Sequence, residues 1–282
     1  MKNLIIGGFT NYGINQLRPW VLSAKVHAGN NDDVVLVYGN ASDETLNWLE
    51  TQGVVIVPMI EDSTIPIHVL RFLSIYNYLY KHWKEYDFVV TTDVKDVYFQ
   101  ADPFEDIERA NFAGFGLLVA SEGLKYKDES WGNENLLQTY GQYVYKQFKD
   151  NEIFNVGTFG GSSEYVKDMV FNIFTNAINR PIPICDQAVF NVLINTQPFK
   201  DAIIRTVDWA CEAGTVADPS KIAGFKPNLL FPEPIFENGL VKSWLGKVYP
   251  IVHQYDRVPE WKKFIQKKYE QSDDSEMFIY RT

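Results

Sequence analysis

The chain has 282 residues, a length that fits one large α/β domain, and 46% of them are hydrophobic, enough to bury a substantial core. A net charge of −10 and a pI near 4.9 argue against a nucleic-acid backbone as partner, and require that any phosphorylated ligand be met by a few placed cations or a bound metal. Two cysteines without metal-ligand spacing exclude a disulfide framework and imply a reduced, cytoplasmic setting, and no run approaches the ~20 apolar residues of a membrane span.

Residues 3–8 form an apolar run ending at Gly7 and Gly8, which reads as a first strand; it is too short for the apolar region of a secretory leader and no cleavage pattern follows it. Ile14, Leu17, Val21, Ala24 and Ala28 then recur three and four apart, the period of an amphipathic helix, with Pro19 early, where a missing N–H costs least. The β-branched run 32–40 predicts a second strand. Ser42 is a good N-cap for a helix whose first turn carries Asp43 and Glu44, and Gly53 closes it. A third strand follows at 54–58, a helix at 68–83 through Val69, Phe72, Tyr76, Leu79 and Trp83, and a fourth strand at 87–92. Nearly continuous apolar strands joined by amphipathic helices imply a parallel sheet covered on both faces, with ligands beyond the carboxyl ends of its strands.

The second half is less regular. Residues 112–120 read as a strand, 121–152 as a polar, aromatic-rich insertion of unassigned content, and 153–161 as a strand with glycines. A helix near 163–178 opens at Ser162 or Ser163, a shorter one lies in 185–195, and a late strand spans 248–255. From about Lys262 the chain is charged, as in a loosely held helix or tail. No composition shift forces a second domain.

The strongest chemical signal is TTDVKDVYFQADPF (91–104). Asp93 and Asp96 leave the fourth strand at its carboxyl edge, where two carboxylates three apart can turn toward one hard cation, magnesium or manganese. Such a cation would bridge the phosphates of a nucleotide diphosphate and neutralise the leaving group. Taken alone the pair favours a solvated turn, with Asp93 capping the backbone and Lys95 balancing its charge. The Gly7–Gly8 stretch lacks dinucleotide-fingerprint spacing and no Walker loop occurs, which again places phosphate binding on a metal.

The segment resembles the aspartate motif of GT-A-type nucleotide-diphosphate-sugar glycosyltransferases, in which a strand ends in paired Asp residues followed by an apolar run and Pro-Phe. The usual spacing is Asp-any-Asp; here it is Asp-Val-Lys-Asp. Downstream, IVHQYDRVPEW (251–261) is similar to the late His motif of glycogenin-like retaining enzymes. By that resemblance His253 completes the metal shell, Arg257 stands where a Lys binds the diphosphate, and Pro259 and Trp261 echo the motif's end. Gln254 replaces the usual Gly. A hydrogen-bonded core histidine is the competing reading of His253.

FNVGTFGGSSEYVKDMVFNIF (154–174) and PICDQAVFNVLI (183–194) resemble the family's acceptor-side strand and the Asp-Gln that opens a helix beneath the sugar. That implies Asn155, Gly160 and Gly161 lining the substrate pocket, with Asp186 and Gln187 at sugar hydroxyls and in the catalytic position. Asp186 could also serve as an N-cap, and the two glycines could form a bulge. Thr10, Asn11 and Tyr12 follow the first strand, where the family contacts base and ribose. Arg71 could orient an Asp or the sugar phosphate, or be a surface helix residue.

The resemblance, spanning residue 3 to about 261, implies a single GT-A-like, mainly parallel α/β domain over 1–262. Within it 1–104 would be the nucleotide-binding half and 105–262 the acceptor-side half, with a polar tail at 263–282. It implies metal-dependent transfer of a hexose or pentose from a UDP- or GDP-sugar to a hydroxyl of a glycan or glycoprotein, with retention. Two rivals stand beside it: a sugar nucleotidyltransferase, and a non-catalytic carbohydrate-binding protein using the aromatic surface.

Overall fold

In a computed structural model that describes residues 2–270, the predicted alternation forms β1 (Asn3–Phe9), α1 (Ile14–His27), β2 (Asp33–Tyr38), α2 (Asp43–Thr51), β3 (Val55–Pro58), α3 (Ile67–His82) and β4 (Phe88–Thr92). Ser42 caps α2 as expected, its hydroxyl accepting from the Thr45 N–H at 3.2 Å. The short β5 (Val97–Phe99) and α4 (Glu105–Phe112) follow, then β6 (Leu117–Lys125), α5 (Ser130–Phe148), β7 (Glu152–Ser162), α6 (Ser163–Ala177) and α7 (Asp186–Leu193). The unassigned stretch 121–152 is therefore the end of a strand plus a long helix. Residues 112–115 lie before β6, not within it.

Beyond α7 the elements are short: β8 (Ile203–Thr206), β9 (Ala210–Glu212), α8 (Ala213–Val216), α9 (Ile222–Phe225), the hairpin of β10 (Ile235–Glu237) and β11 (Leu240–Lys242), and β12 (Ile251–His253). The last element, α10 (Pro259–Glu270), corrects the expected boundary at 262. Ile265 and Tyr269 on it are buried with Leu22 and Tyr98, so the chain is packed well past Lys262; the remainder of the predicted tail lies outside the described residues.

Seven strands form one mostly parallel sheet in the order β3-β2-β1-β4-β7-β6-β8. Its faces separate two buried clusters, because alternate strand residues point opposite ways. Ile5, Val34, Val90 and Leu118 pack against Leu17, Trp20 and Val21 of α1 on one side. Leu4, Val35, Val89 and Leu117 pack against Phe72 and Ile75 of α3 and Val166 and Met169 of α6 on the other. Helices on both faces make this a single α/β unit, compatible with a Rossmann-like fold.

One strand runs against the others. β7 runs antiparallel to both its neighbours, β4 and β6, with Thr92 opposite Thr158 and Val89 opposite Gly161. At the edge where the parallel strands end, β7 consequently begins, and it contributes its early residues there, not its late ones. A second sheet of three strands, β5-β12-β9, is laid against this edge. In it His253 pairs with Val97 on one side and Glu212 on the other.

Candidate metal centre and adjoining cavity

Two segments far apart in sequence, the 93–96 loop and β12, meet after β4. Asp93 leaves that strand with its N–H donated to the Gly157 carbonyl of β7 at 2.7 Å. Asp96 immediately precedes β5, and β12 brings His253 alongside through the register just described. One ligand atom from each of Asp93, Asp96 and His253 falls within 4.8 Å of the others, a spacing at which the three could hold a metal ion.

The donor set fits a hard divalent cation. His253 is 1% exposed, and its Nδ1 lies 2.7 Å from Glu212 Oε2. A carboxylate only accepts, so Nδ1 carries the hydrogen and Nε2 is turned to the two aspartates, 3.5 Å from Asp93 Oδ2 and 3.8 Å from Asp96 Oδ1. That Nε2 is buried with no hydrogen-bond partner, which an electrophile would satisfy. Burial disfavours charge on His253, but Glu212, Asp93 and Asp96 together outweigh it and hold the imidazole well above its ordinary value. A proton is thus the competitor that a cation displaces from Nε2.

The two aspartates differ. Burial raises both, yet for Asp93 the Arg71 guanidinium and His253 reverse the effect and hold it below the usual carboxylate range. Asp96 stays raised, with Asp93 beside it adding to burial. Arg71 is not a surface helix residue: from α3 it forms an ion pair with Asp93 through Nη1 and with Asp186 through Nη2, the latter at 3.1 Å. It ties the metal edge to the N-terminus of α7.

Gly157 makes this approach possible. A Cβ built there would sit 2.7 Å from Asp93 Oδ2 and 2.8 Å from His253 Cε1, inside contact distance of both. Gly7 serves the same end from below, since a Cβ on it would meet Val94 Cγ2 at 2.5 Å and bar the aspartate loop from β1. The residue after His253 must turn sharply, and Gln254 takes the left-handed conformation at φ 57°, where glycine carries less strain.

A cavity of about 500 Å³ opens beside the triad. Arg71, Asn155, Asp186, Gln187 and Arg257 all line it, as the sequence led us to expect. Its floor also holds Glu122 of β6, 6% exposed, which accepts from Asn155 Nδ2 at 2.8 Å and Gln187 Nε2 at 2.9 Å. Burial, with Glu212 and Glu129 nearby, pushes the Glu122 carboxyl up to about 7 against those two hydrogen bonds. Asp186 is the first residue of α7 and not its cap, a position held by Cys185; its Oδ1 accepts from the Gln187 N–H at 3.1 Å.

Thr10, Asn11 and Tyr12 lie outside the cavity, toward β2. Asn11, Tyr12 and Asn40 shape a shallow depression there, with Thr10 Oγ1 accepting from the Asn40 N–H at 3.1 Å. Burial and the charges of Asp93 and Asp96 raise the Tyr12 phenol, which places it within electrostatic reach of the metal centre.

Three expected site residues are elsewhere. Gly160 and Gly161 sit mid-sheet, paired with Val90 and Val89, because β7 runs antiparallel and presents Asn155 and Gly157 to the edge instead. Trp261 is 4% exposed and packs on Phe236 at 5.7 Å in the core under α10. In their place the structure brings in Glu122, Glu212, Gly157 and Trp131. Single acids inside the apolar runs LLVASEGL and WACEAG were the available signal for the two glutamates, since an unneeded charge is rarely buried.

No protein-family model matches the chain, and no curated protein matches it. Among the described residues no helix is long and apolar enough to cross a membrane.

Proposed function

We propose that this protein is a metal-dependent glycosyltransferase of the GT-A type, moving a sugar from a UDP- or GDP-sugar to a hydroxyl of a glycan or glycoprotein with retention of configuration. The observation that carries the reading is the convergence of Asp93, Asp96 and the unpartnered Nε2 of His253 at the carboxyl edge of the sheet, at the mouth of a polar cavity. Manganese or magnesium held there supplies the positive charge that an acidic chain otherwise lacks for a diphosphate leaving group.

The chain's own residues divide the remaining work. Arg257, half-exposed on the cavity rim, reaches outward to phosphate oxygens. Asn11, Tyr12 and Asn40 receive the base and ribose in their depression. Asp186, Gln187 and Glu122 face the transferred sugar as hydroxyl partners. Arg71 holds Asp186 as an ion pair, while burial raises this carboxyl against the effect of the guanidinium. In this reading Asp186 and Gln187 steady the sugar during displacement from the front face.

Nucleotidyl transfer is the weaker reading, because Gly7 and Gly8 lie within β1 where Gly7 packs under Val94, and form no loop open to a triphosphate. The test is a screen of UDP- and GDP-sugars with manganese, with magnesium and with chelator. Release of nucleoside diphosphate that stops with chelator is expected. Pyrophosphate release would establish nucleotidyl chemistry, and glycan binding without any nucleotide turnover would establish a carbohydrate-binding protein.

A further inference from the structure

We propose that Trp131 is the stacking platform for a pyranose ring of the acceptor, and that the acceptor is a neutral glycan entering beside α5; this rests on the glycosyl-transfer reading above.

The sheet order itself separates the two ends of the site. From β2 through β1, β4 and β7 to β6, the edge carries Asn40, then Tyr12, then the aspartate pair, then Asn155, then Glu122. Trp131 lies beyond β6, at the start of α5, on the far side of the metal centre from the depression of Asn11 and Tyr12. A nucleotide anchored by its base at the first end and by its diphosphate at the centre leaves the second end for the acceptor.

Trp131 is built for contact there. It lines the cavity yet is 51% exposed, the one exposed tryptophan among the described residues. Its backbone is held firmly: buried Glu129 accepts from the Trp131 N–H at 3.2 Å and from the Gly132 N–H at 2.5 Å. Ile184, 42% exposed, lines the cavity too, and its carbonyl is tied to α5 by Asn135 Nδ2 at 2.5 Å. Two apolar side chains on anchored backbone therefore share the cavity with Glu122, Asp186 and Gln187.

A pyranose matches that combination. One face of the ring is a sheet of C–H groups that covers an indole, while its hydroxyls radiate toward carboxylate and amide partners. Glu129, buried two residues before Trp131, disfavours an acceptor that is itself anionic.

The experiment titrates the full chain, with manganese and UDP or GDP present, with neutral tetrasaccharides of β-galactosyl, β-glucosyl and α-mannosyl type. Calorimetry and tryptophan emission are the readouts. The wild type should bind at least one with a change in indole emission. Trp131→Phe, which keeps a flat ring, should bind it within about fivefold, whereas Trp131→Ala should lose about tenfold or more with an unchanged unfolding midpoint. No binding of any of the three, equal loss in both variants, or full affinity in Trp131→Ala each overturns the proposal. Nucleotide affinity measured in the same wild-type samples reports separately on the underlying reading: glycan binding through Trp131 with no manganese-dependent nucleotide binding would sink transfer and leave the sugar subsite standing.

Discussion

Glu122→Gln isolates the cost of the buried carboxylate at the cavity floor. Glu122 is 6% exposed and titrates at about 7 in the folded protein, against an ordinary value of 4.5. A carboxyl raised in the native state holds its proton longer than in the unfolded chain, so its contribution to stability is fully present below about 4.5 and is lost as pH rises through 7. At about 1.4 kcal/mol for each unit, the loss amounts to about 3 kcal/mol at pH 8.5. Glutamine imitates the protonated acid, and its Oε1 can still accept from Asn155 and Gln187. The variant should therefore match the wild type at pH 5 and exceed it at pH 8.5, with an unfolding midpoint higher by about 5–8 °C. Thermal or urea unfolding at both pH values measures this. Parallel pH profiles for the two proteins would refute the argument, since Glu122 would then not be carrying a proton near neutrality.

Asp96→Ala should remove manganese binding and turnover while the fold survives, read by calorimetry and by nucleotide-sugar hydrolysis; near-normal turnover at limiting manganese would contradict the site. His253→Ala should likewise lose manganese affinity, and it also strips Glu212 of its 2.7 Å partner, so a stability loss of about 1–3 kcal/mol accompanies it. Metal affinity, not stability, is then the measurement that separates a ligand from a core histidine. Gly157→Ala drives a methyl group against Asp93 and His253 and should weaken manganese binding about tenfold or more beside an overpacking cost of about 1–3 kcal/mol, whereas unchanged affinity would mean the triad can spread freely. Trp261→Ala should cost about 3–5 kcal/mol in urea unfolding with nucleotide affinity intact, and a selective loss of nucleotide binding would return Trp261 to the site.

The sequence by itself determined the first half of this protein. Apolar periods of two and of about four, Ser42 as a cap, and the aspartates directly after an apolar strand are local properties, so β1 through β4 and the position of Asp93 and Asp96 follow from short windows of residues. The resemblance of the His253 stretch to a family motif paired it with those aspartates, and the tertiary structure brings all three within ligand spacing. Strand direction was a different matter. Nothing in FNVGTFGG says which way the strand runs, because alternation reads the same from either end, yet β7's reversal exchanged Gly160 and Gly161 for Asn155 and Gly157 at the site. The burial of Trp261 and the exposure of Trp131 were also decided by packing: α10 turns the first inward onto Phe236, while Glu129 holds the backbone N–H of the second at the cavity mouth. Glu122 and Glu212 gain their roles only from neighbours 33 to 65 positions away, Asn155, Gln187 and His253, and contacts between distant segments leave no local pattern to read.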